Sequence, residues 1–225
     1  MPITSGVELE RTNPVTLEIL TNGHDMSPAR PTVTRRMTLA CCSLFFSLPL
    51  PATLAADRQP TSDSDQVWSA LRNGAIVLLR HADAPGFGDP PAFRVGDCTA
   101  QRNLGDAGRA QARRIGAIFR QQRVIPGKVV ASQWCRTLDT AELAFPGQVT
   151  PEPAFNSFFQ DRARANAQTA SARAMLLQWP GPGALVVVTH QVNITALTGI
   201  SPMSGEGIVL RRQGQALVVI GRIQP

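Results

Sequence analysis

Two short apolar runs, each ending in a histidine, constrain the fold of this chain more than any other feature. The first run is AIVLLRHA at 75–82, and the second is ALVVVTH at 184–190. Apolar, β-branched runs of this length are typical of strands that are buried on both faces of a sheet. His81 and His190 are the only histidines after residue 56. A chain that keeps two histidines and places both at strand ends is predicted to use them together.

Helical and strand patterns alternate through the rest of the chain. This alternation predicts an α/β fold, a three-layer sandwich whose mostly parallel central sheet has helices on both faces. Two segments, 83–103 and 151–164, are predicted as long loops without regular elements, and loops of this length usually serve a function. The predicted helices are 64–73, 106–122, 136–145, 168–179 and 192–197, and the predicted strands are 75–79, 128–132, 149–150, 185–189, 208–212 and 217–222.

The N-terminal region has the residue order of an export signal. Two arginines at 35–36 precede an apolar run that ends in Pro and small residues. This order is typical of a signal peptide of the twin-arginine type, and the run is too short and too interrupted by Pro for a membrane anchor. We therefore predict a leader and signal peptide over 1–56, with Met26 or Met37 as alternative start sites. Residues 57–225 are predicted to form a single periplasmic or secreted domain without a membrane span.

Export also bears on the cysteines. Cleavage of the signal would leave Cys98 and Cys135, an even pair in an oxidising compartment. Such a pair favours a disulfide, which typically contributes about 2–4 kcal/mol to stability. Two separate buried thiols are the alternative.

The formal net charge of +6 comes almost entirely from arginine. A composition bias is the preferred explanation, and an anionic partner is the alternative. The basic residues between 109 and 123 are not interleaved with aromatic residues, so a nucleic-acid partner is not predicted. Residues 57–225 contain no His-x-His or Cys-x-x-Cys spacing, so neither a metal site nor another cofactor is predicted.

The polar residues that follow the predicted strands are expected to converge. In open α/β sheets the ligand site lies at the carboxyl ends of the strands, where Arg80, His81, Arg136 and His190 are placed. Guanidinium groups match phosphate oxygens, and a neutral imidazole is a nucleophile. The sequence therefore predicts that a bound phosphate is attacked by His81 and that water then hydrolyses the phosphohistidine.

Four segments resemble the histidine phosphatase superfamily, also called phosphoglycerate mutase-like. They occur in the superfamily's order and cover about residues 72–200. The resemblance implies the phosphoglycerate mutase-like fold, with His81 as phospho-acceptor and with Arg80, Arg136 and His190 as phosphate ligands. The segments are LRHA at 79–82, NLGDAGRAQA at 103–112, SQWCRTLDTA at 132–141 and VVVTH at 186–190.

Two residues depart from the superfamily pattern. Ala82 stands where a Gly usually follows the nucleophile. Gln191 follows His190, so the Asp that serves as the acid in the phytase-like branch is absent.

The identity of the proton donor is therefore open. Asp161, in FNSFFQDR, is the preferred candidate because its place in the chain order resembles that of the acid in the other branch. A surface ion pair with Arg162 or Arg164 is the other interpretation of Asp161. The remaining candidates are Asp83, Glu152 and Glu206.

The sequence thus predicts an exported phosphomonoester hydrolase that acts on a small-molecule phosphate ester through a phosphohistidine on His81. One alternative is a catalytically weak protein of the same fold that binds a phosphate ligand. Another is a phosphoglycerate-type mutase, which export disfavours because its substrates are cytosolic. The sequence identifies neither the physiological substrate nor the oligomeric state.

Overall fold

The computed structural model describes residues 63–225. The predictions made for residues 1–62, including the signal peptide, lie outside the described residues. No helix within 63–225 is long and apolar enough to cross a membrane. The helices are α1 (Asp63–Arg72), α2 (Asp106–Gln121), α3 (Cys135–Ala144), α4 (Ala165–Leu177) and α5 (Gln191–Thr198). The strands are β1 (Ile76–Arg80), β2 (Pro126–Ala131), β3 (Val149–Pro151), β4 (Ala184–Thr189), β5 (Gly207–Gln213) and β6 (Ala216–Ile223).

The six strands form one sheet in the order β3-β2-β4-β1-β5-β6. The four strands from β3 to β1 are parallel, and β5 runs antiparallel to both of its neighbours. β1 and β4 lie side by side at the centre, with Ile76 opposite Leu185 and Arg80 opposite Thr189. The sheet therefore brings the ends of the two histidine-bearing runs to the same edge.

Alternate residues of the central strands face two separate cores. Val77 and Leu79 of β1 pack in a core that includes Phe119 of α2 and Ala141 of α3. The intervening residues of β1 pack in a second core with Leu176 of α4 and residues of α5. Both faces of β1 and β4 are buried, which explains why these strands are almost uninterrupted apolar runs. Helices on both faces confirm the predicted three-layer α/β sandwich.

The predicted elements all occur, with boundaries that differ by a few residues. The main correction concerns the two long loops, which were expected to have no regular elements. Loop 83–103 contains a 3₁₀ turn at Cys98–Ala100, where the Asp97 side chain accepts a hydrogen bond from the Thr99 amide. Loop 151–164 contains 3₁₀ turns at Pro153–Phe155 and Arg162–Arg164. Local side-chain caps of this kind have no periodicity in the sequence.

Candidate active site

Two neighbouring strands deliver the two histidines to one site. His81 follows β1 and His190 follows β4, and the parallel pairing of these strands leaves the two imidazoles side by side. Their ring centroids are 5.5 Å apart, and each residue is only 3% exposed. The predicted convergence of the strand ends is therefore present in the structure.

The hydrogen bonds of His81 define which ring nitrogen carries its proton. Nδ1 lies 2.8 Å from the carbonyl oxygen of Ala82. Because a carbonyl oxygen can only accept, Nδ1 is the protonated nitrogen and Nε2 carries the lone pair. Burial, followed by the positive charge of Arg136, lowers the pKa of His81 from 6.5 to about 3. His81 is therefore a neutral imidazole whose Nε2 is unprotonated at physiological pH.

Arg136 lies in the first turn of α3 and points its guanidinium at this lone pair. Its Nε donates to His81 Nε2 at 3.3 Å. Arg136 is 4% exposed, and its position is set by the strand end at Ala131 and by the start of α3 at Cys135. The phosphate-binding role that the resemblance implies for Arg136 is thus compatible with its distance from the proposed nucleophile.

The other two Arg136 nitrogens are bound to Asp89, a residue that the sequence did not single out. Nη1 donates to Asp89 Oδ1 at 2.6 Å and Nη2 donates to Oδ2 at 3.0 Å. Trp134 Nε1 also donates to Oδ2, at 3.0 Å. Burial by itself would raise the pKa of Asp89, but the hydrogen bonds and charge of Arg136 outweigh burial and lower it. Asp89 belongs to no periodic element, so its only sequence signal was its presence in a long loop.

Arg102 is a second residue that sequence reasoning missed. Its Nε donates to the Gly88 carbonyl at 2.8 Å, and its Nη1 donates to the Ala84 carbonyl. The side chain lines the same cavity as His81 and Arg136. Burial lowers the pKa of Arg102, and the charge of Arg136 adds to this effect. The indication of Arg102 in the sequence was its position immediately before the NLGDAGRAQA segment, which resembles the superfamily.

Arg80 supplies a third guanidinium. Its Nη1 donates to the Pro202 carbonyl at 2.9 Å. Its Nε is buried and has no hydrogen-bond partner among the described residues. Burial is the main cause that lowers the pKa of Arg80. The buried, unpaired donor marks a place where an anionic oxygen would be stabilised.

His190 is held by a polar network of its own. Its Nε2 lies 2.8 Å from Ser132 Oγ. Asn156 Oδ1 lies 3.4 Å from the same hydroxyl and accepts a hydrogen bond from the Gln133 amide. Burial lowers the pKa of His190 well below its ordinary value, and the neighbouring His81 adds to this effect.

The segments that carry the resemblance position the backbone after His81. The Ala82 amide donates to Thr140 Oγ1 at 3.0 Å, and the Asp83 amide donates to Gln111 Oε1 at 2.9 Å. A Cβ on Gly108 would lie 1.9 Å from the Asp83 carbonyl oxygen. Only glycine at this position lets α2 approach the backbone of Asp83 so closely. Gly108, Gln111 and Thr140 therefore have the residue types that this close packing and these hydrogen bonds require.

A disulfide joins the first long loop to the start of α3. Cys98 and Cys135 are bonded, as the sequence predicted, with their Cα atoms 5.7 Å apart. Gln101 adds a second link, because its side chain accepts a hydrogen bond from the Cys135 amide at 2.9 Å. Both links lie beside Arg136, so the loop and this arginine are fixed to each other.

The four candidate proton donors lie in different surroundings. Asp83 is exposed and lines the cavity that contains His81. Asp161 is exposed at the start of a 3₁₀ turn and does not line this cavity. Glu152 caps the turn at 153–155 and also lies outside the cavity wall. Glu206 is buried, where it accepts hydrogen bonds from Arg222 and from the Met203 amide.

The cavity has a volume of about 750 Å³ and a polar floor with an aromatic rim. Phe87 is 88% exposed at the rim. Its ring meets Phe159 edge to face, with centroids 5.2 Å apart, and Arg162 lies 5.2 Å from the centroid of Phe159. Phe87 and Phe159 come from different long loops, so both loops form the entrance to the site.

A second cavity, of about 780 Å³, lies at the other end of the parallel strands. It is lined by residues around Gly74, Trp179 and Arg211 and contains no histidine. Within residues 63–225, no three His, Cys, Asp or Glu side chains are grouped so that they could hold a metal ion.

No family model matches the chain, and no curated protein matches it. Three solved structures have folds similar to that of this chain. YhfR of Bacillus stearothermophilus is 16% identical over 65% of this chain and 95% of its own, with a TM-score of 0.49. A mycobacterial glucosyl-3-phosphoglycerate phosphatase is 16% identical over 65% of this chain and 97% of its own, with a TM-score of 0.48. The protein histidine phosphatase SixA, in complex with tungstate, is 16% identical over 66% of this chain and 96% of its own, with a TM-score of 0.47.

These are likenesses of fold. One of these neighbours, SixA, is a protein histidine phosphatase.

Proposed function

We propose that the protein is a phosphomonoester hydrolase of the cell envelope that acts through a phosphohistidine intermediate on His81. The observation that carries this proposal is the state of His81. It is a neutral, buried imidazole whose Nδ1 is fixed by the Ala82 carbonyl and whose Nε2 lone pair faces a cationic cavity. A nucleophile of this kind needs no deprotonation before it attacks phosphorus.

The charges around His81 favour a phosphate group in this cavity. Arg80, Arg102 and Arg136 all line it, and planar guanidinium groups bind phosphate oxygens in pairs. The desolvation that lowers the pKa of Arg80 and Arg102 is offset by the negative charge of an anion that binds beside them. His190 borders the same space and supplies a further ring nitrogen near the phosphate oxygens.

The reaction follows from these positions in two displacement steps. His81 Nε2 forms a bond to phosphorus while the bond from phosphorus to the ester oxygen breaks, and the leaving oxygen takes a proton from a carboxylic acid. Water then gives its proton to the same carboxylate as its oxygen forms a bond to phosphorus, and the bond from phosphorus to His81 Nε2 breaks, which releases inorganic phosphate and regenerates the neutral imidazole. The arginines stabilise the negative charge on the phosphoryl oxygens in both steps.

Asp83 is the proton donor that the cavity geometry favours. It is the candidate that lines the cavity, and its backbone is fixed by Gln111 and by close contact with Gly108. The sequence-based choice, Asp161, lies outside the cavity wall and stays a prediction.

The cavity suits a small-molecule phosphate ester with an apolar part. Its volume of about 750 Å³ lies within the range of ligand sites in proteins, which is about 300–1,000 Å³. The exposed ring of Phe87 and its contact with Phe159 offer an apolar surface beside the cationic floor. An envelope location is consistent with the Cys98–Cys135 disulfide, because such bonds persist in oxidising compartments.

The experiment that tests the function measures hydrolysis of an aryl phosphate by the purified protein in the presence of EDTA. We expect turnover by the wild type, none by His81→Ala, and an acid-labile phosphoenzyme in quenched wild-type samples. Arg136→Gln should also lose most activity, whereas Arg113→Gln, which removes an exposed arginine of α2, should not. Full activity of His81→Ala would contradict the role of His81 as the nucleophile.

A phosphate-binding protein without turnover is the second candidate function. It is favoured by the exposure of Asp83, because an exposed carboxyl group is not held at a fixed distance from the oxygen that it would protonate. Binding of phosphate or vanadate without hydrolysis of any ester in a broad panel would favour it over the first proposal. The envelope location is tested separately, by fractionation of cells that produce the full-length chain.

A further inference from the structure

The carboxylate of Asp89 lies where an incoming phosphate would meet Arg136. Its two oxygens accept from Nη1 and Nη2 of Arg136 at 2.6 and 3.0 Å. A carboxylate and a phosphate bind a guanidinium group in the same two-pronged geometry. The two anions therefore compete for one pair of donors.

Several contacts show that Asp89 is built into this position. Its side chain is 5% exposed, and Trp134 Nε1 donates to Oδ2 at 3.0 Å. The Arg102 amide donates to Oδ1 at 3.3 Å. The Cys98–Cys135 disulfide fixes the surrounding loop to the residue next to Arg136. The contact is therefore a buried, multiply bonded ion pair within the site.

We propose that Asp89 is an internal carboxylate ligand of the phosphate site, which a substrate phosphate must displace from Arg136. This inference rests on the proposed function, because it concerns the same phosphate site. A dianionic phosphate group that also contacts Arg80 and Arg102 replaces the single charge of Asp89. A singly charged anion gains less from the exchange, so Asp89 makes the site selective for phosphomonoesters.

The inference predicts that one substitution within the phosphate site strengthens phosphate binding. Asp89→Asn keeps the shape of the side chain and one acceptor oxygen but removes its charge. Inorganic phosphate should bind this variant about tenfold more tightly than the wild type, because a like charge in the site no longer opposes it. If Asp89 served only to position Arg136, the same change would weaken phosphate binding.

The test is isothermal titration of both full-length proteins with inorganic phosphate, and repetition with the singly charged anion nitrate at the same pH. The preference for phosphate over nitrate should fall in Asp89→Asn. Asp97→Asn is the matched control, because Asp97 lies in the same loop but outside the cavity wall; its phosphate affinity should equal that of the wild type. Equal or weaker phosphate binding by Asp89→Asn would overturn the inference, as would the absence of phosphate binding by both proteins.

The indole N–H of Trp134 gives a second readout that does not depend on affinity. Its resonance can be assigned with Trp134→Phe. Phosphate should shift it in the wild type, because Asp89 leaves the indole, and should shift it less in Asp89→Asn. A wild-type indole resonance that stays in place at saturating phosphate contradicts displacement. Because these measurements follow binding and not turnover, they remain informative if hydrolysis is not detected.

Discussion

The two long loops border the same cavity but are held in place by different forces. Loop 83–103 is attached through polar and covalent contacts, namely the Asp89–Arg136 ion pair and the disulfide of Cys98. Loop 151–164 is attached mainly through apolar packing, since Phe155 and Phe158 are buried at 0% and 4% exposure. The first loop therefore brings Asp89 and Arg102 into the site through polar contacts, whereas the second loop is anchored by buried rings and adds Phe159 and Arg162 to the cavity wall.

This contrast separates the two leading candidates for the acid, because they lie in different loops. Asp161 has the expected place in the sequence, but it lies in the loop that is anchored by the buried rings of Phe155 and Phe158, and it faces solvent. Asp83 opens the loop whose contacts are polar, and it reaches the cavity. The position of a carboxylate in the chain does not fix its distance from the nucleophile when the loop between them is irregular.

The largest expected effect is the difference in kcat between substitutions of Asp83 and of Asp161. Asp83→Asn should lower kcat for an aryl phosphate by roughly 10²–10⁴-fold, the usual contribution of a general acid. Asp161→Asn should change kcat by less than about twofold, as expected for a group outside the site. Both values come from steady-state kinetics with the same substrate. A larger loss of kcat in Asp161→Asn would support Asp161 as the proton donor and contradict the proposed difference between the loops.

Apolar packing of the second loop is tested by Phe155→Ala. The ring is fully buried against the core around Leu176, so its removal should lower the free energy of unfolding by about 3–5 kcal/mol. Phe87→Ala is the control, because a ring that is 88% exposed should change stability by less than about 0.5 kcal/mol. Chemical denaturation measures both. Similar losses in the two variants would contradict the assignment of packing to the second loop.

Covalent attachment of the first loop is tested by removal of the disulfide. The Cys98→Ser, Cys135→Ser double variant should lose about 2–4 kcal/mol of unfolding free energy. Addition of a reductant should destabilise the wild type to a similar extent and leave the double variant unchanged. Denaturant titration with and without reductant measures this. If the reductant left the unfolding free energy of the wild type unchanged, the disulfide would contribute little to stability.

The buried imidazole next to the first loop predicts a pH dependence of stability. The pKa of His81 falls from 6.5 to about 3 on folding, so the unfolded chain binds more protons between these values. The free energy of unfolding should therefore decrease by roughly 1 kcal/mol per pH unit as the pH falls from 6.5 towards 3, and should not depend on His81 above 6.5. His81→Asn should flatten this decrease when unfolding is measured across the range. An unchanged slope in the variant would mean that other groups cause it.

The smallest effect concerns the aromatic rim that the two loops share. Phe87→Ala should lower kcat/KM for an aryl phosphate about fivefold, since only part of one ring surface is lost. It should leave kcat/KM for glycerol phosphate nearly unchanged, because that ester is too small and polar to need the rim. Parallel assays with both esters measure the ratio. Equal losses for the two esters would show that Phe87 supports the site without contacting the ester group.

The sequence by itself determined most of the fold and the centre of the site. Strands that are buried on both faces must be apolar throughout, so β1 and β4 could be recognised, and parallel strands must place His81 and His190 at one edge. The even cysteine pair likewise indicated the disulfide that the structure contains.

Only the tertiary structure decided which loop residues meet these histidines. Asp89 and Arg102 come from an irregular segment, whose path depends on single contacts such as those to Arg136 and to the Ala84 carbonyl. Periodicity records which face of a regular element is buried, but an irregular loop has no period. Its ion pairs and hydrogen bonds form between residues far apart in the chain, so the partner of each buried charge appears only when the chain is folded.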